Sequence, residues 1–247
     1  LRMDEQAKKM LGPPGTFKTA HPAYLTLSEF PVAWKDLPTQ PILVSHRTPV
    51  AAKRRYFRET PGGPRLRFGV EDENRFLEQE ANLLYWATSL HELAQSFASK
   101  FLSENPKSAA SKLELPETCF VLGGLFQHGQ ESGNERSGLV VLIEELGSSF
   151  IKFINNSSPV PCVSEGPAGT VGRYLAFCQH VQYVKTGGLA IISDYQGSLT
   201  MLSDPQILTH PKLGPIFGDG NLSSSFEQFP LLHQCNEFCT GFELESL

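Results

Sequence analysis

Three side chains that can bind a metal ion stand close together near the end of the chain, in the pattern His233-x-Cys235-x-x-x-Cys239. Cys235 and Cys239 are four residues apart, so on a helix they would share one face. Structural zinc takes four sulfur or nitrogen ligands in a tetrahedron. We expect the fourth from elsewhere in the chain, with His180 as the leading candidate. The alternative is that the cysteines are buried thiols and His233 a surface residue.

Two aspartates in the same third of the chain stand where oxygen ligands are useful. Asp194 follows the apolar run 189–193, and Asp204 lies in a turn that Pro205 fixes. Together with Gln196 they offer the hard oxygen atoms that suit Mg²⁺, which proteins usually bind through one or two carboxylates and substrate phosphates. Ordinary turn formation is the alternative reading of both strings.

A third string, residues 12–19, has the outline of a phosphate-binding loop: Gly-Pro-Pro-Gly-Thr-Phe-Lys-Thr. Such a loop needs a glycine directly before its lysine and a hydrophobic strand before the loop. Here Phe17 precedes Lys18, and residues 4–10 are polar or helix-like. We therefore interpret residues 1–20 as a flexible N-terminal segment. A phosphate-loop ATPase that uses Lys18 is kept as an alternative.

The hydrophobic pattern predicts the elements that must position these groups. Residues 72–103 follow an acidic start at Glu71-Asp72-Glu73 and carry apolar positions three or four apart, which predicts one long helix or two consecutive ones. Residues 169–184 predict a second, amphipathic helix. The short apolar runs predict strands at 41–46, 49–53 and 189–193 and an antiparallel hairpin formed by 118–126 and 138–143.

Composition excludes several classes of protein. The 247 residues are 40% hydrophobic and carry a formal net charge of −5, so we expect neither nucleic acid nor an anionic membrane as a partner. The chain contains no apolar run near the roughly 18 residues that span a bilayer. Its five cysteines are an odd set, and two stand beside a histidine, which favours metal binding over disulfides. We expect an intracellular protein, in the cytoplasm.

Four stretches of the last third, taken in order, resemble the alpha-kinases, a family of atypical protein kinases. They are Ser193-Asp-Tyr-Gln-Gly, Ser203-Asp-Pro-Gln-Ile, Phe217-Gly-Asp-Gly-Asn and His233-Gln-Cys-Asn-Glu-Phe-Cys. His180 stands where that family places its first zinc histidine. The resemblance covers about 70 residues here.

The resemblance implies ATP, Mg²⁺ and a structural Zn²⁺ as cofactors and a protein as the second substrate. Asp194 would be the catalytic aspartate that orients or deprotonates the substrate hydroxyl, and Gln196 and Asp204 would hold magnesium against the ATP phosphates. These roles suit phosphoryl transfer, in which catalysis is mostly positioning and charge neutralisation. The implied zinc ligands are His180, His233, Cys235 and Cys239.

Upstream the resemblance is thinner. Val50-Ala-Ala-Lys53 looks like the family's strand whose lysine contacts the ATP phosphates, so Lys53 would serve catalysis and ATP binding, with Arg54 as the alternative register. A solvated basic strand end remains open. Glu80 on the long helix is a candidate partner for this lysine, or an exposed helical glutamate.

The family's adenine-contacting string has its counterpart at Glu144-Glu-Leu146. Glu144 would contact adenine through its backbone, and the Leu146 amide would donate to it. Residues 150–156 resemble a further family string but receive no role.

One loop departs from the family. Gly218 and Asn221 of the glycine-rich loop are kept, whereas Ser223 and Phe226 replace later glycines. Glycine permits positive φ and close backbone approach, so this loop's role in substrate recognition is in doubt.

We therefore predict an α+β, two-lobed protein-kinase-like fold. A β-rich N-lobe of about 21–147 with one long helix would precede a mixed, zinc-containing C-lobe of about 148–247, with ATP between them. The predicted function is an ATP-dependent serine/threonine protein kinase. The alternative is a catalytically inactive kinase-like module that binds a partner protein.

Overall fold

The computed structural model describes residues 1–13, 15–26, 47–129, 138–147, 150–214 and 216–247. They form two compact units, the first made of residues 1–81 with 122–146 and the second of 82–121 with 147–247. Residues 82–121 belong to the second unit, although they precede part of the first in the chain. The predicted lobes of about 21–147 and 148–247 stay a prediction. The predicted strand 41–46 lies outside the described residues.

The first unit is built on a five-stranded antiparallel sheet in the order β1-β2-β3-β6-β5. Its strands are β1 (Arg2–Met3), β2 (Lys18–Leu25), β3 (Thr48–Arg55), β5 (Gly123–Gln127) and β6 (Val140–Glu145). A short 3₁₀ helix, Ala7–Lys9, follows β1. Because β1 pairs with β2, the first residues take part in the sheet, and their predicted flexibility stays a prediction.

The long helix is confirmed as a single element, α1 (Val70–Glu104). It begins with Glu71, Asp72 and Glu73, whose charges suit the positive end of the helix dipole. In the first unit, Leu77 packs with Val140 and Leu142 of β6. In the second unit, the buried positions of α1 join two larger apolar clusters. The three- and four-residue spacing therefore did identify buried faces.

The second unit combines helices with two small sheets. One sheet has the order β4-β10-β9-β7, and the other pairs β11 with β8. The strands are β4 (Cys119–Phe120), β7 (Ile151–Lys152), β8 (Ala190–Ser193), β9 (Gln196–Gly197), β10 (Met201–Leu202) and β11 (Gln206–Thr209). The helices after α1 are α2 (Gly166–Lys185), α3 (Ser223–Leu232) and α4 (Glu237–Gly241). None of the described helices is both long and apolar enough to cross a membrane.

The predicted α+β class is confirmed, as are the helix at 169–184 and the strand at 189–193. The predicted hairpin is confirmed only in part. β5 and β6 pair antiparallel, with Leu125 opposite Leu142. Residues 119–120 instead run parallel to β10, because the amides of Cys119 and Val121 donate to the carbonyls of Thr200 and Leu202. The apolar run 118–126 therefore contributes strands to two different sheets.

His91, in the second unit, gives the fold a pH dependence. Its Nε2 lies 2.9 Å from Thr118 Oγ1, and its ring contacts those of Phe120 and Tyr195. Burial lowers the pKa of His91 to about 4, whereas an unfolded histidine titrates near 6.5. Below about pH 6.5 the unfolded chain therefore takes up a proton that the folded chain refuses, and stability falls as the pH drops toward 4.

We expect this histidine to account for about 3 kcal/mol of acid destabilisation, which corresponds to the difference between its pKa in the unfolded and folded chain. Urea unfolding at pH 7.0, 5.5 and 4.5 measures it. His91→Gln keeps a hydrogen-bonding side chain that does not titrate, so its free energy of unfolding should fall less steeply over the same range. Identical slopes for the two proteins would contradict the assignment.

Candidate active site and metal centre

Asp194 occupies a tight turn between β8 and β9. Its φ is +58°, a left-handed conformation that aspartate tolerates better than most residues. Gly197 closes the turn with φ +143°, and a Cβ there would lie 2.2 Å from the Met201 carbonyl oxygen. The sequence Asp-x-x-Gly is therefore required by the backbone, as the turn reading proposed. The turn also projects polar groups from the end of a buried strand.

Tyr195, between the two polar residues of the turn, anchors it in the core. The side chain is fully buried, and its hydroxyl accepts a hydrogen bond of 3.0 Å from Gln182 Nε2 on α2. Gln182 Oε1 in turn accepts from the Ile192 amide on β8 at 2.9 Å. Because the central residue is held by buried hydrogen bonds, Asp194 and Gln196 are presented from a fixed backbone.

Lys152, which received no role from the sequence, contacts Asp194 and Gln196, and Gln196 in turn contacts the turn that contains Asp204. Lys152 Nζ donates to Asp194 Oδ1 and, at 2.8 Å, to Gln196 Oε1. Gln196 Nε2 donates to the Asp204 carbonyl oxygen at 3.0 Å. Asp204 itself has φ +53° in the turn before Pro205. One lysine and one glutamine thus connect both acidic turns.

This donor set fits a divalent cation. The Asp194 carboxylate and the Gln196 amide oxygen already converge on one positive group, the Lys152 ammonium. An amide oxygen has a second lone pair after accepting one hydrogen bond. Carboxylate and amide oxygens are the ligands that Mg²⁺ prefers, so these donor types are compatible with it, and the assignment of Gln196 and Asp204 to magnesium stays a prediction.

Asn156 connects the turn at Asp194 to the segment after β11. Its Oδ1 accepts from Ser193 Oγ at 2.5 Å, and its Nδ2 donates to the Gly220 carbonyl oxygen at 3.0 Å. Asn221 is held in its turn by Thr209, whose amide and hydroxyl it contacts. In the sequence, Asn156 and Asn221 stand out only as members of strings that resemble the family. Nothing in the sequence shows which residues they contact.

The altered glycine-rich loop is partly helical in this chain. Residues Gly218–Gly220 form a 3₁₀ turn, with Gly218 at φ +74°. Ser223 begins α3, and Phe226 is buried on that helix against Ile191 and Leu208. The residues that replace glycine therefore start and anchor a helix.

The four predicted zinc ligands come together. The candidate ligand atoms of His180, His233, Cys235 and Cys239 all lie within 4.8 Å of one another. Cys235 Sγ is 3.8 Å from His180 Nδ1, and Cys239 Sγ is 3.7 Å from His233 Nε2. Sulfur and nitrogen ligands of one tetrahedral zinc are about 3.6 Å apart, from the usual bond lengths. The cluster therefore has the composition and dimensions of a structural zinc site.

The local backbone explains how the two cysteines reach one point. Only Cys239 lies on α4, whereas Cys235 precedes the helix, so they do not share a helical face. Asn236 caps the helix between them, its Oδ1 accepting from the amides of Phe238 and Cys239. The expectation that both cysteines share one helix face is therefore wrong. Their sulfur atoms nevertheless lie close to the two histidines.

The electrostatics of the cluster also suit zinc. Burial, and to a smaller extent the neighbouring His180, lowers the pKa of His233 to about 4. Zinc binds neutral imidazole, so the ring is already in the ligating form. Burial raises the pKa of Cys239 to about 12. Zinc would supply the positive charge that stabilises its thiolate.

In the first unit, the structure separates the two candidate cations of β3. Lys53 Nζ lies 2.7 Å from Glu144 Oε2 on β6. Arg54 makes a bidentate pair with Glu73 at 2.8 and 2.6 Å and contacts Glu5 at 2.7 Å. Burial would lower the pKa of Arg54, but Glu73 and Glu5 raise it. The solvated strand end is wrong, since Lys53 is only 8% exposed.

Glu80 reaches cations other than Lys53. Its Oε2 lies 2.5 Å from Lys18 Nζ, and its Oε1 lies 2.9 Å from Arg55 Nη1. Glu80 and Lys53 are therefore not brought together as a pair in the described arrangement. Lys18 begins β2 and lies in a strand, whereas the lysine of a phosphate loop opens a helix. The phosphate-loop ATPase reading is not supported by this geometry.

The two adenine candidates differ in their backbone environment. Glu144 lies in the sheet with Ala51 on one side and Gly123 on the other, so its backbone groups are engaged by strand pairing. Leu146 follows the last residue of β6, and its side chain is exposed. Contact with adenine stays a prediction for both.

Comparison with known proteins gives one family. The sequence model of the Alpha-kinase family matches residues 67–239. Alpha-protein kinase 2 of Mus musculus is 34% identical over 106 residues, which are 42% of this chain and 5% of that protein. Its counterpart in Danio rerio is 33% identical over 108 residues, or 43% of this chain and 5% of that protein. The match thus spans a small part of these relatives.

Solved structures share the fold. The C-terminally truncated alpha-kinase domain of myosin heavy chain kinase superposes with a TM-score of 0.59 at 18% identity, covering 99% of this chain and 90% of that one. The alpha-kinase domain of myosin-II heavy chain kinase A in complex with AMP-PNP gives a TM-score of 0.58 at 18% identity, covering 96% and 87%.

Proposed function

The chain belongs to the alpha-kinase family, and from that membership we propose that it is an ATP-dependent kinase that phosphorylates serine and threonine hydroxyls of proteins. The observation that carries the proposal is the polar cluster of Lys152, Asp194 and Gln196 at the strand end, which is tied to Asp204. Related alpha-kinase domains have been solved with AMP-PNP and ADP.

Each residue receives a role from its contacts. Asp194 orients the acceptor hydroxyl and takes its proton as the new P–O bond forms and the bond to the β-phosphate breaks. Lys152 holds the Asp194 carboxylate in place and neutralises charge beside it. Gln196 and Asp204 hold magnesium, which would neutralise phosphate charge when bound.

The first unit supplies the nucleotide contacts in this proposal. Lys53 leaves Glu144 and binds the ATP phosphates, since one ammonium can exchange a carboxylate for a more highly charged phosphate. Leu146 donates its amide to adenine, with the backbone of Glu144 as the second candidate. Zinc at His180, His233, Cys235 and Cys239 has no step in the reaction and supports the fold.

A phosphotransfer assay tests the proposal directly. The chain, γ-labelled ATP and Mg²⁺ are incubated with a set of basic and acidic peptides carrying serine or threonine, with and without EDTA. We expect Mg²⁺-dependent transfer to at least one peptide or to the chain itself. Absence of transfer to every acceptor, from protein that contains zinc and is folded, would refute the kinase proposal.

One observation favours the alternative, an inactive module that binds a partner protein. The loop that departs from the family is helical here, with Phe226 buried. If that helix prevents acceptor binding, the chain should still bind an ATP analogue but transfer no phosphate. Calorimetric titration with AMP-PNP, run beside the transfer assay, separates the two functions.

Lys152 provides a further prediction. Lys152→Met removes the ammonium that contacts Asp194 and Gln196, and we expect the kcat to fall by about 100-fold while the KM for ATP changes little. Steady-state kinetics measures both constants. Lys100→Met is the matched control, because Lys100 is exposed on α1 beside Glu104 and touches no site residue. Equal kcat values for both variants would contradict the role of Lys152.

A further inference from the structure

A short hairpin between β3 and α1 carries an arrangement of arginines that the proposed kinase reaction does not use. Phe57 and Leu66 form an antiparallel bridge with two hydrogen bonds, at 3.0 and 2.9 Å. The turn between them contains Pro61 and Gly62, with Gly62 at φ +78°, and the Gly63 amide donates to the Thr60 carbonyl oxygen. Proline followed by glycine is typical of a type II turn.

The two faces of this hairpin have opposite character. Phe57 lies on one face, and its ring contacts that of Phe68, which contacts Phe76 on α1. Residues alternate between faces along a strand. The register that places Phe57 opposite Leu66 therefore places Arg58 opposite Arg65 on the other face.

The ring of Tyr56 contacts both arginines. The guanidinium carbons of Arg58 and Arg65 lie 5.6 and 5.8 Å from the centre of its ring. The ring itself is fixed, because Tyr56 is 8% exposed and its hydroxyl donates to the Gly15 carbonyl oxygen at 2.6 Å. Contact of this kind with an aromatic face stabilises a cation, so both exposed guanidiniums contact one fixed ring. Side chains that stand opposite each other across a strand pair are also neighbours.

These two arginines lack anionic partners within the described part of the chain. No described carboxylate lies within ion-pair distance of Arg58 or Arg65. Like charges directly across a strand pair are destabilising. Arg67, bonded to the Arg55 carbonyl and Thr19 Oγ1, adds a third positive charge nearby. Burial lowers the pKa of Arg67, as do Arg54 and Arg65.

We propose that Tyr56, Arg58 and Arg65 form a docking site for a phosphate group on a segment of another protein. Guanidinium forks match phosphate geometry, and one phosphate has enough oxygens to accept from two forks. Duplex nucleic acid is disfavoured because its binding rests on the neutralisation of several phosphates by Lys and Arg, whereas this chain carries a net charge of −5. Anionic membranes are usually bound by clusters of about 4–8 basic residues.

Fluorescence polarisation with the 247-residue chain, in the absence of ATP, tests this site. The probes are a degenerate peptide library with one fixed phosphothreonine and the same library with threonine. We expect the phosphorylated library to bind at least about tenfold more tightly, and Arg58→Gln/Arg65→Gln to remove the difference. Arg58→Lys/Arg65→Lys keeps the charges but not the forks, and should recover only part of it.

The control is Arg75→Gln, because Arg75 also stacks on an aromatic ring but is paired with Asp72. It should bind the phosphorylated library like the wild type. The double glutamine variant loses two contacts with the Tyr56 ring and also one repulsion between like charges, so its melting temperature should stay close to that of the wild type.

Three results would overturn the site. They are no binding of the phosphorylated library, equal binding of both libraries, and unchanged binding by the double glutamine variant. Tighter binding to single-stranded RNA or to phosphatidylserine vesicles would also overturn it in favour of those partners. The measurement involves no phosphoryl transfer, so its outcome is independent of whether the chain is an active kinase.

Discussion

Asp194→Asn should lower the rate of phosphoryl transfer by about 10²- to 10⁴-fold, the usual contribution of a positioned general base. Asparagine has nearly the shape of aspartate and tolerates the left-handed conformation that φ +58° requires. It cannot accept the proton of the acceptor hydroxyl. The hydrogen bond from Lys152 can persist through the amide oxygen, so the loss should appear in kcat more than in the KM for ATP.

Asp194→Ala should affect folding as well as chemistry, so its comparison with Asp194→Asn separates the two. We expect the same loss of activity together with a lower melting temperature, because alanine is strained at positive φ and leaves Lys152 without one of its partners. Asp72→Asn, an exposed acidic residue at the start of α1, should retain wild-type activity. The role of Asp194 would be refuted if Asp194→Asn kept more than about a tenth of the wild-type rate. A loss of less than about tenfold is smaller than the smallest effect expected when a general base is removed.

The sequence predicted what short-range patterns determine. The turn at Asp194 followed from an apolar strand that ends in Asp-x-x-Gly, and α1 followed from its apolar spacing. The zinc cluster followed from one close-spaced group and from the position of His180 in the resembling family. In each case the information lies within one element or one motif.

Long-range pairing explains what the sequence missed. Lys152 is separated from Asp194 by 42 residues and lies on a two-residue strand, which is too short for any periodicity to reveal. The register of β7 with β9, in which Lys152 faces Gln196, is what brings it to the site. Such a pairing is fixed by tertiary packing and not by local propensity.

The partner of Glu80 was missed for a related reason. Lys53, Arg54 and Arg55 are consecutive, so a shift of one residue moves each cation to the other face of the sheet. Glu80 on the long helix was a candidate partner for Lys53, but only the observed strand register decides which of the three cations it contacts. It places Arg55 opposite Lys18 on β2, and Glu80 contacts that pair.

Cys239→Ser should remove zinc and destabilise the second unit more than any other single change considered. Structural zinc contributes about 10–16 kcal/mol to the folding of small zinc peptides, whereas whole domains are stable by about 5–15 kcal/mol. Cys239 is fully buried beside Phe238 and Phe242, in the apolar cluster that includes α2 residues. Loss of the metal would therefore leave buried polar groups unpaired within that cluster.

Three measurements on zinc and stability check this expectation. Metal analysis should find one zinc per wild-type chain and none in Cys239→Ser, and the variant should melt at least about 10 °C lower. Chelation of the wild type should reproduce the loss without changing any side chain, and added zinc should reverse it. Cys162→Ser is the control, since Cys162 is exposed and lies outside the cluster. A variant that kept both its zinc and its melting temperature would show that Cys239 is an ordinary buried thiol.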